Sequence, residues 1–351
     1  MAAISRRIDW VDYSKGICIL LVVLMHSTLG VEKALGIQSW MHGFIEWARP
    51  FRMPDFFLIS GLFLASSIDL PWRRFLDSKL IHFGYFYLLW MSIQLLFKSV
   101  GIAQESGVTG VAMVWASGLI EPFGTLWFIY LLAIFFVVTK LLRRVPPLYV
   151  LLSAAALELL QFDTGWMPVD EFAARFVYFF TGYAFARIVF QFADRVASTN
   201  IVVTTTALVI WAICNGIAVK TGFAALPGFG LLLAYCGTAA VISMGIALTN
   251  TRLSVPIRYC GQNSIVIYLG FSLFMAATRI VLLKSGVIGD PVVIALLATG
   301  VGVVGPLCLC LATRHTMLAF LFVRPSWARV PIPINPLANR HYAWLATPIV
   351  R

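Results

Sequence analysis

Ten stretches of this chain are apolar for long enough to lie in a membrane, and that restricts the fold more than any motif. They cover roughly residues 14–31, 43–66, 80–98, 124–142, 148–162, 172–192, 200–219, 228–249, 262–282 and 291–313, the fifth being the shortest. About 20 mostly apolar residues in a helix cross the hydrocarbon of a bilayer. Composition agrees, since 60% of the 351 residues are apolar and only 12% are charged. A soluble domain carries roughly 25% charged residues to clothe its surface, so this chain clothes itself with lipid instead. No linker-like or low-complexity tract divides it. The expected fold is all-α, a polytopic membrane helical bundle of about ten spans forming one domain over residues 1–351.

The charged connections predict how the spans are threaded. Lys and Arg near span ends favour the cytoplasm. One set of connections holds Arg6, Arg7, Arg73, Arg74, Lys79, Lys140, Arg143, Arg144, Arg187, Arg195, Arg252 and Arg258. The tail from residue 314 adds Arg314, Arg324, Arg329, Arg340 and Arg351. The alternate connections hold single lysines (Lys33, Lys98, Lys220, Lys284) among acids such as Asp163, Asp170, Glu171 and Asp290. Both termini are therefore expected in the cytoplasm. The net charge of +11 is accounted for by topology and by contacts with membrane lipids, with no nucleic-acid partner. Residues 103–122, flanked by Glu105 and Glu121, read as a loop or an interfacial helix. The six cysteines contain no Cys-x-x-Cys pair, so metal and redox motifs are unsupported.

Ionisable groups inside a span are costly and tend to face the bundle interior. Lys15 and His26 are eleven residues apart on the first run. That is about 16 Å and close to three helical turns, so both lie on nearly one face. With Lys15 at the cytoplasmic boundary, His26 lies deep, where an imidazole can serve as a general base. It can equally be a structural histidine bonded to a neighbouring helix. On the second run Arg49, Arg52, Pro54 and Asp55 fall together. Pro54 is expected to kink or break the helix, leaving Arg52 beside a cavity, while Ser60 and Gly61 permit close helix packing. Arg73, Arg74, Lys79 and His82 form a basic loop that either meets phosphates or only marks the inner side. Trp127 opens the fourth run, where an interface anchor is the ordinary reading.

The stretch Arg7-Ile-Asp-Trp-Val-Asp12-Tyr-Ser-Lys15-Gly, ending ten residues before His26, resembles the opening of acyltransferase family 3, in particular its fucose 4-O-acetylase-like branch. Met53-Pro54-Asp55-Phe56-Phe57-Leu-Ile-Ser60-Gly61 is similar to the motif of that family's second span. Leu126-Trp127-Phe128, Ser264 to Tyr268-Leu269, and Phe322 to Trp327 extend the resemblance to most of the chain. Two positions depart from the family pattern. Lys79-x-x-His82 stands where Arg-x-x-Arg is common, and Phe271 stands where a histidine often follows the Tyr-Leu pair.

The resemblance implies an O-acyltransferase of the bacterial cytoplasmic (inner) membrane. It would move an acyl group, commonly acetyl, from acyl-CoA to a hydroxyl of a cell-surface glycan or lipid-linked saccharide. Acetyl-CoA would be a co-substrate, with no bound cofactor and no metal. His26, Lys15 and Arg52 would then be catalytic. Arg73, Arg74, Lys79 and His82 would contact the donor. Asp12, Pro54, Asp55, Ser60, Gly61, Trp127 and Tyr268 would shape the cavity. The alternative from the residues alone is a transporter of a small polar or lipid-linked solute, because broken helices and buried charges suit transport as well.

Overall fold

The computed structural model describes residues 8–249, 251 and 254–331. Arg6, Arg7, Arg252, Arg340 and Arg351 lie outside them, as does the start of the motif that begins at Arg7. Among the described residues every regular element is helical: α1 (Asp9–Leu35), α2 (Met41–Leu62), α3 (Trp72–Leu76), α4 (His82–Ser117), α5 (Trp127–Leu142), α6 (Pro147–Leu159), α7 (Met167–Ala184), α8 (Ala186–Ser198), α9 (Ile201–Lys220), α10 (Phe229–Leu248), α11 (Val255–Gln262), α12 (Ser264–Ser285) and α13 (Pro291–Thr313), with short 3-10 and π turns between them. The protein is an all-helical, multi-pass membrane protein. Seven helical stretches are long and apolar enough to cross a bilayer, or eight with α7 and α8 taken together. All ten apolar runs fall on helices. Of the remaining two, α2 carries Glu46, Arg49, Arg52 and Asp55, and α6 has only 13 residues.

Three expectations change. First, α2 runs from Met41 to Leu62 with Pro50 and Pro54 inside it, so of the kink or break expected at Pro54 the break does not occur. Neighbouring helices support such a segment in a membrane. Second, residues 103–117 are helical and not a loop. The helix is interrupted at Gly107, whose backbone (φ 70, ψ −178) is not helical, and the segment beyond it folds back along the first part. The Trp115 indole donates to Ser92 Oγ at 3.1 Å, and the Tyr87 hydroxyl donates to the Gly118 carbonyl. This return carries the start of α5 down into the bundle. Third, the run over 172–192 is bent by 75° between α7 and α8. Arg187, Asp194 and Arg195 make α8 amphipathic, and it lies beside Trp10 and Phe63 through Phe190.

Small residues hold the bundle at close range. A Cβ on Gly61 would sit 2.1 Å from the Phe179 carbonyl oxygen, and one on Gly182 would sit 2.0 Å from that of Leu58. The backbones of α2 and α7 therefore touch. Gly261 of α11 lies equally close to the Asp12 carbonyl oxygen of α1, where Asp12 accepts from Gln262 at 3.0 Å and Asp9 pairs with Arg258 at 2.6 Å. In lipid, where apolar burial gives no drive between helices, this contact packing is the main attraction.

The basic connections gather at one end. Lys140 donates to the carbonyls of Ile68 and Leu70, both at 2.6 Å. Arg143 lies 3.5 Å from Asp69. After α13 the tail returns to α4, and Arg324 pairs with Asp77 at 2.8 Å.

Candidate functional site

A cavity of about 180 Å³ opens among α1, α2, α5, α7 and α12. Its chemistry comes from His26, Arg49, Arg52, Trp127, Arg175 and Tyr268. α1 presents His26 from its C-terminal half, and the imidazole packs at 5.3 Å, centroid to centroid, against Phe271 of α12. Among the described residues no protein group hydrogen-bonds to the ring, so the bonded structural histidine is not what the fold builds. Phe271 is the position where the resembled family often has a histidine. Here an apolar ring presses on His26 instead of a second titratable group.

The floor of the cavity is fixed by Tyr268. Its hydroxyl accepts from the backbone N–H of Phe128 at 3.1 Å and donates to the Thr125 carbonyl. This bond pair pins the first turn of α5, and with it Trp127, to α12. Trp127, half-buried, consequently lines the cavity. Arg52 is 6% exposed; its Nη1 reaches only the Ile45 carbonyl, at 3.4 Å, and its Nε has no partner. Asp55, one turn further along α2, is fully buried and accepts from the Cys18 thiol, so it ties α2 to α1 and does not line the cavity. Ser60 bonds back to the Phe56 carbonyl at 2.7 Å.

Lys15, Lys79 and His82 belong to a second group nearer the start of α1. Lys79 sits in the π turn Asp77–Ile81, with Nζ 4.6 Å from the centre of the Phe136 ring, within electrostatic reach of Lys15. Lys15 Nζ lies 5.7 Å from the Phe63 ring centre. His82 lies edge-on to Phe86 and within reach of Lys79, Asp77 and Arg324. Arg73 is exposed and Arg74 half-buried on α3; neither lines the cavity. The structure thus separates two groups along α1, one around His26 and one around Lys15, about three turns apart.

Arg49 and Arg175 in the cavity, and the Arg324–Asp77 pair against the inner group, were not assigned roles from the sequence. Arg175 looks like any charge near a span end, and its approach to Arg52 depends on the α2–α7 seam.

A sequence profile described as an acyltransferase domain matches residues 8–313. The chain belongs to this acyltransferase family. It is similar to the inner membrane protein YcfT of Escherichia coli (strain K12), at 26% identity over 58% of this chain and 63% of YcfT. The chain thus spans less than two thirds of that relative. It is also similar to the nodulation protein NolL of Sinorhizobium fredii (strain NBRC 101917 / NGR234), at 24% identity over 76% of this chain and 78% of NolL. No solved structure matches it with significance. Within the family match fall all the residues of both groups except Arg324.

Proposed function

We propose that this acyltransferase moves an acyl group, in the simplest case acetyl, from cytoplasmic acyl-CoA to a hydroxyl of a glycan or lipid-linked saccharide, in a bacterial cytoplasmic membrane. The observation that carries the reading is His26: a deeply placed imidazole with no protein hydrogen bond, facing a cavity, with cations one helix segment away toward the basic end. Lys15 and Lys79, two lysines close together, suit the phosphates of the donor. A donor held there reaches His26 through a linear arm of about 16 Å, which suits a long unbranched carrier. The acceptor hydroxyl gives its proton to His26 as its oxygen attacks the thioester carbonyl. The carbon–oxygen bond forms, the carbon–sulfur bond breaks, and the proton returns from His26 to the departing thiolate. Apolar walls, Phe271 among them, keep water from competing.

The test is acyl transfer from labelled acetyl-CoA, using intact protein reconstituted in vesicles supplied with glycans from the producing cell. General-base catalysis contributes roughly 10²–10⁴-fold, so His26→Ala should lose at least that factor while inserting and melting like the parent. Unchanged labelling by a folded His26→Ala protein would end this reading. Solute uptake without labelling would favour transport.

A further inference from the structure

Around the cavity there are three arginines and a short supply of carboxylates. Arg49 pairs with Glu46 at 3.2 Å, and Arg175 with Glu171 at 3.0 Å. Glu158, behind Arg175, is engaged with Tyr178 at 3.3 Å. Asp55 is engaged with Cys18. Arg52 lies within electrostatic reach of Arg175, Glu46 and Arg49; Glu46, the one carboxylate among these, is paired with Arg49, and Arg52 makes no ion pair of its own among the described residues. It is more than nine-tenths buried, its Nε is unpartnered, and its one hydrogen bond is long. A buried cation is costly unless an anion compensates it, and guanidinium groups match the oxygens of carboxylates and phosphates two at a time. The cavity that Arg52 lines is where such an anion would sit.

The donor does not supply it. Its phosphates are assigned to the lysines near the inner end, and its thioester end is neutral. The three arginines instead line the cavity beside His26. Arg49 and Arg52 sit about midway along α2, and Arg175 about midway along α7.

We propose that the acceptor is anionic, carrying a carboxylate or phosphate near the hydroxyl to be acylated, and that Arg52, flanked by Arg175 and Arg49, seats that group beside His26. This deepens the acyl-transfer reading and rests on it. The seat does two things. It supplies the missing counter-charge of Arg52, and it selects acidic saccharides over neutral ones, because a neutral acceptor would leave the buried guanidinium uncompensated.

The test reads binding separately from turnover. Intact protein in phosphatidylcholine nanodiscs is melted with methyl glucuronoside, methyl glucoside or inorganic phosphate. A ligand that binds only the folded state raises the melting midpoint. The glucuronoside or phosphate should raise it and the glucoside should not. Response to one anion and not the other names the acidic group. Arg52→Gln should weaken the response on the order of tenfold or more, the loss of a charge-assisted contact. Arg52→Lys should retain part of it. Arg175→Gln, which keeps Arg52, should weaken it less. His26→Ala should leave it intact, so failure of the acyl-transfer reading and failure of the anion seat give different results. Equal responses to glucoside and glucuronoside, an undiminished response in folded Arg52→Gln and Arg175→Gln, or no response to either anion would each overturn the proposal. The last, combined with lost turnover in Arg52→Gln, would place Arg52 on the charge that develops during the reaction.

Discussion

The α2–α7 seam converts one glycine into a quantitative expectation. Real Cβ atoms essentially never approach another heavy atom within 3.0 Å, yet a Cβ on Gly61 would meet the Phe179 oxygen at 2.1 Å. Gly61→Ala therefore forces the two backbones apart by roughly 0.9 Å, because the opposing atom is main chain and has no rotamer to change. Overpacking of this kind costs about 1–3 kcal/mol. Gly182→Ala meets the Leu58 oxygen at 2.0 Å across the same seam, so it demands the same movement. Once one alanine has opened the seam, the second finds it open. The double variant should cost little more than the worse single one, a coupling expected of contacting sites and not of distant ones. α2 carries Arg52 and α7 carries Arg175, so the opening also widens the cavity by about an ångström. A misplacement of that size can lower turnover by about 10²-fold. Thermal melts of the two single variants and the double variant, alongside acyl transfer from labelled acetyl-CoA, check both points. Additive destabilisation would refute a shared seam. Parent-like turnover in a destabilised single variant would refute its role in setting the cavity.

Three other substitutions probe the supports. Tyr268→Phe removes both bonds to the start of α5 and leaves the buried Phe128 N–H unpaired, about 1–3 kcal/mol; melts should drop, and turnover should fall because Trp127 loses its anchor. Lys140→Met leaves the Leu70 carbonyl without its donor and the Ile68 carbonyl with Arg143 alone, at 3.3 Å, so trypsin should cut sooner at Arg73 and Arg74 than in the parent. Arg324→Ala leaves Asp77 buried without its cation, and breaking such a pair costs roughly 3–5 kcal/mol; limited proteolysis should then release the segment after Arg314, while an unchanged digest would show that the tail is held otherwise.

Much of the helix inventory was legible because lipid imposes a plain length rule. Each run of apolar residues became a helix. The turns of direction were not legible. The fold-back of α4 turns on Gly107, a residue that in sequence merely interrupts a weakly apolar stretch. The 75° bend between α7 and α8 falls inside what hydropathy reads as one straight run, because the amphipathic α8 has enough apolar residues to continue the pattern. Pro54 signalled a kink or a break, and α2 continues through it. His26 and Arg52 stood out as costly charges in apolar surroundings. Arg175 did not, since its role depends on α2 lying against α7, and the cause of that contact is two glycines 121 positions apart.

The two residue groups are linked by α1 alone in covalent terms. Asp9 and Asp12 fasten its inner end to α11. Cys18 fastens its middle to Asp55 of α2. Glu32, near its outer end, accepts from Ser39 at 2.8 Å and contacts His42 at 2.8 Å, which fixes the turn into α2. A helix held at three levels cannot slide or rotate without breaking one of these bonds, and a rotation of one residue would swing His26 by about 100° away from the cavity. The spacing between Lys15 and His26 is therefore rigid, and Arg52 is held to the same frame because Asp55 sits one turn beyond it. Under the proposed acyl transfer, this scaffold would hold His26, Arg52 and the cations near Lys15 in fixed relation to one another, whereas transport would need the helix bonds at one end of α1 to open while those at the other close.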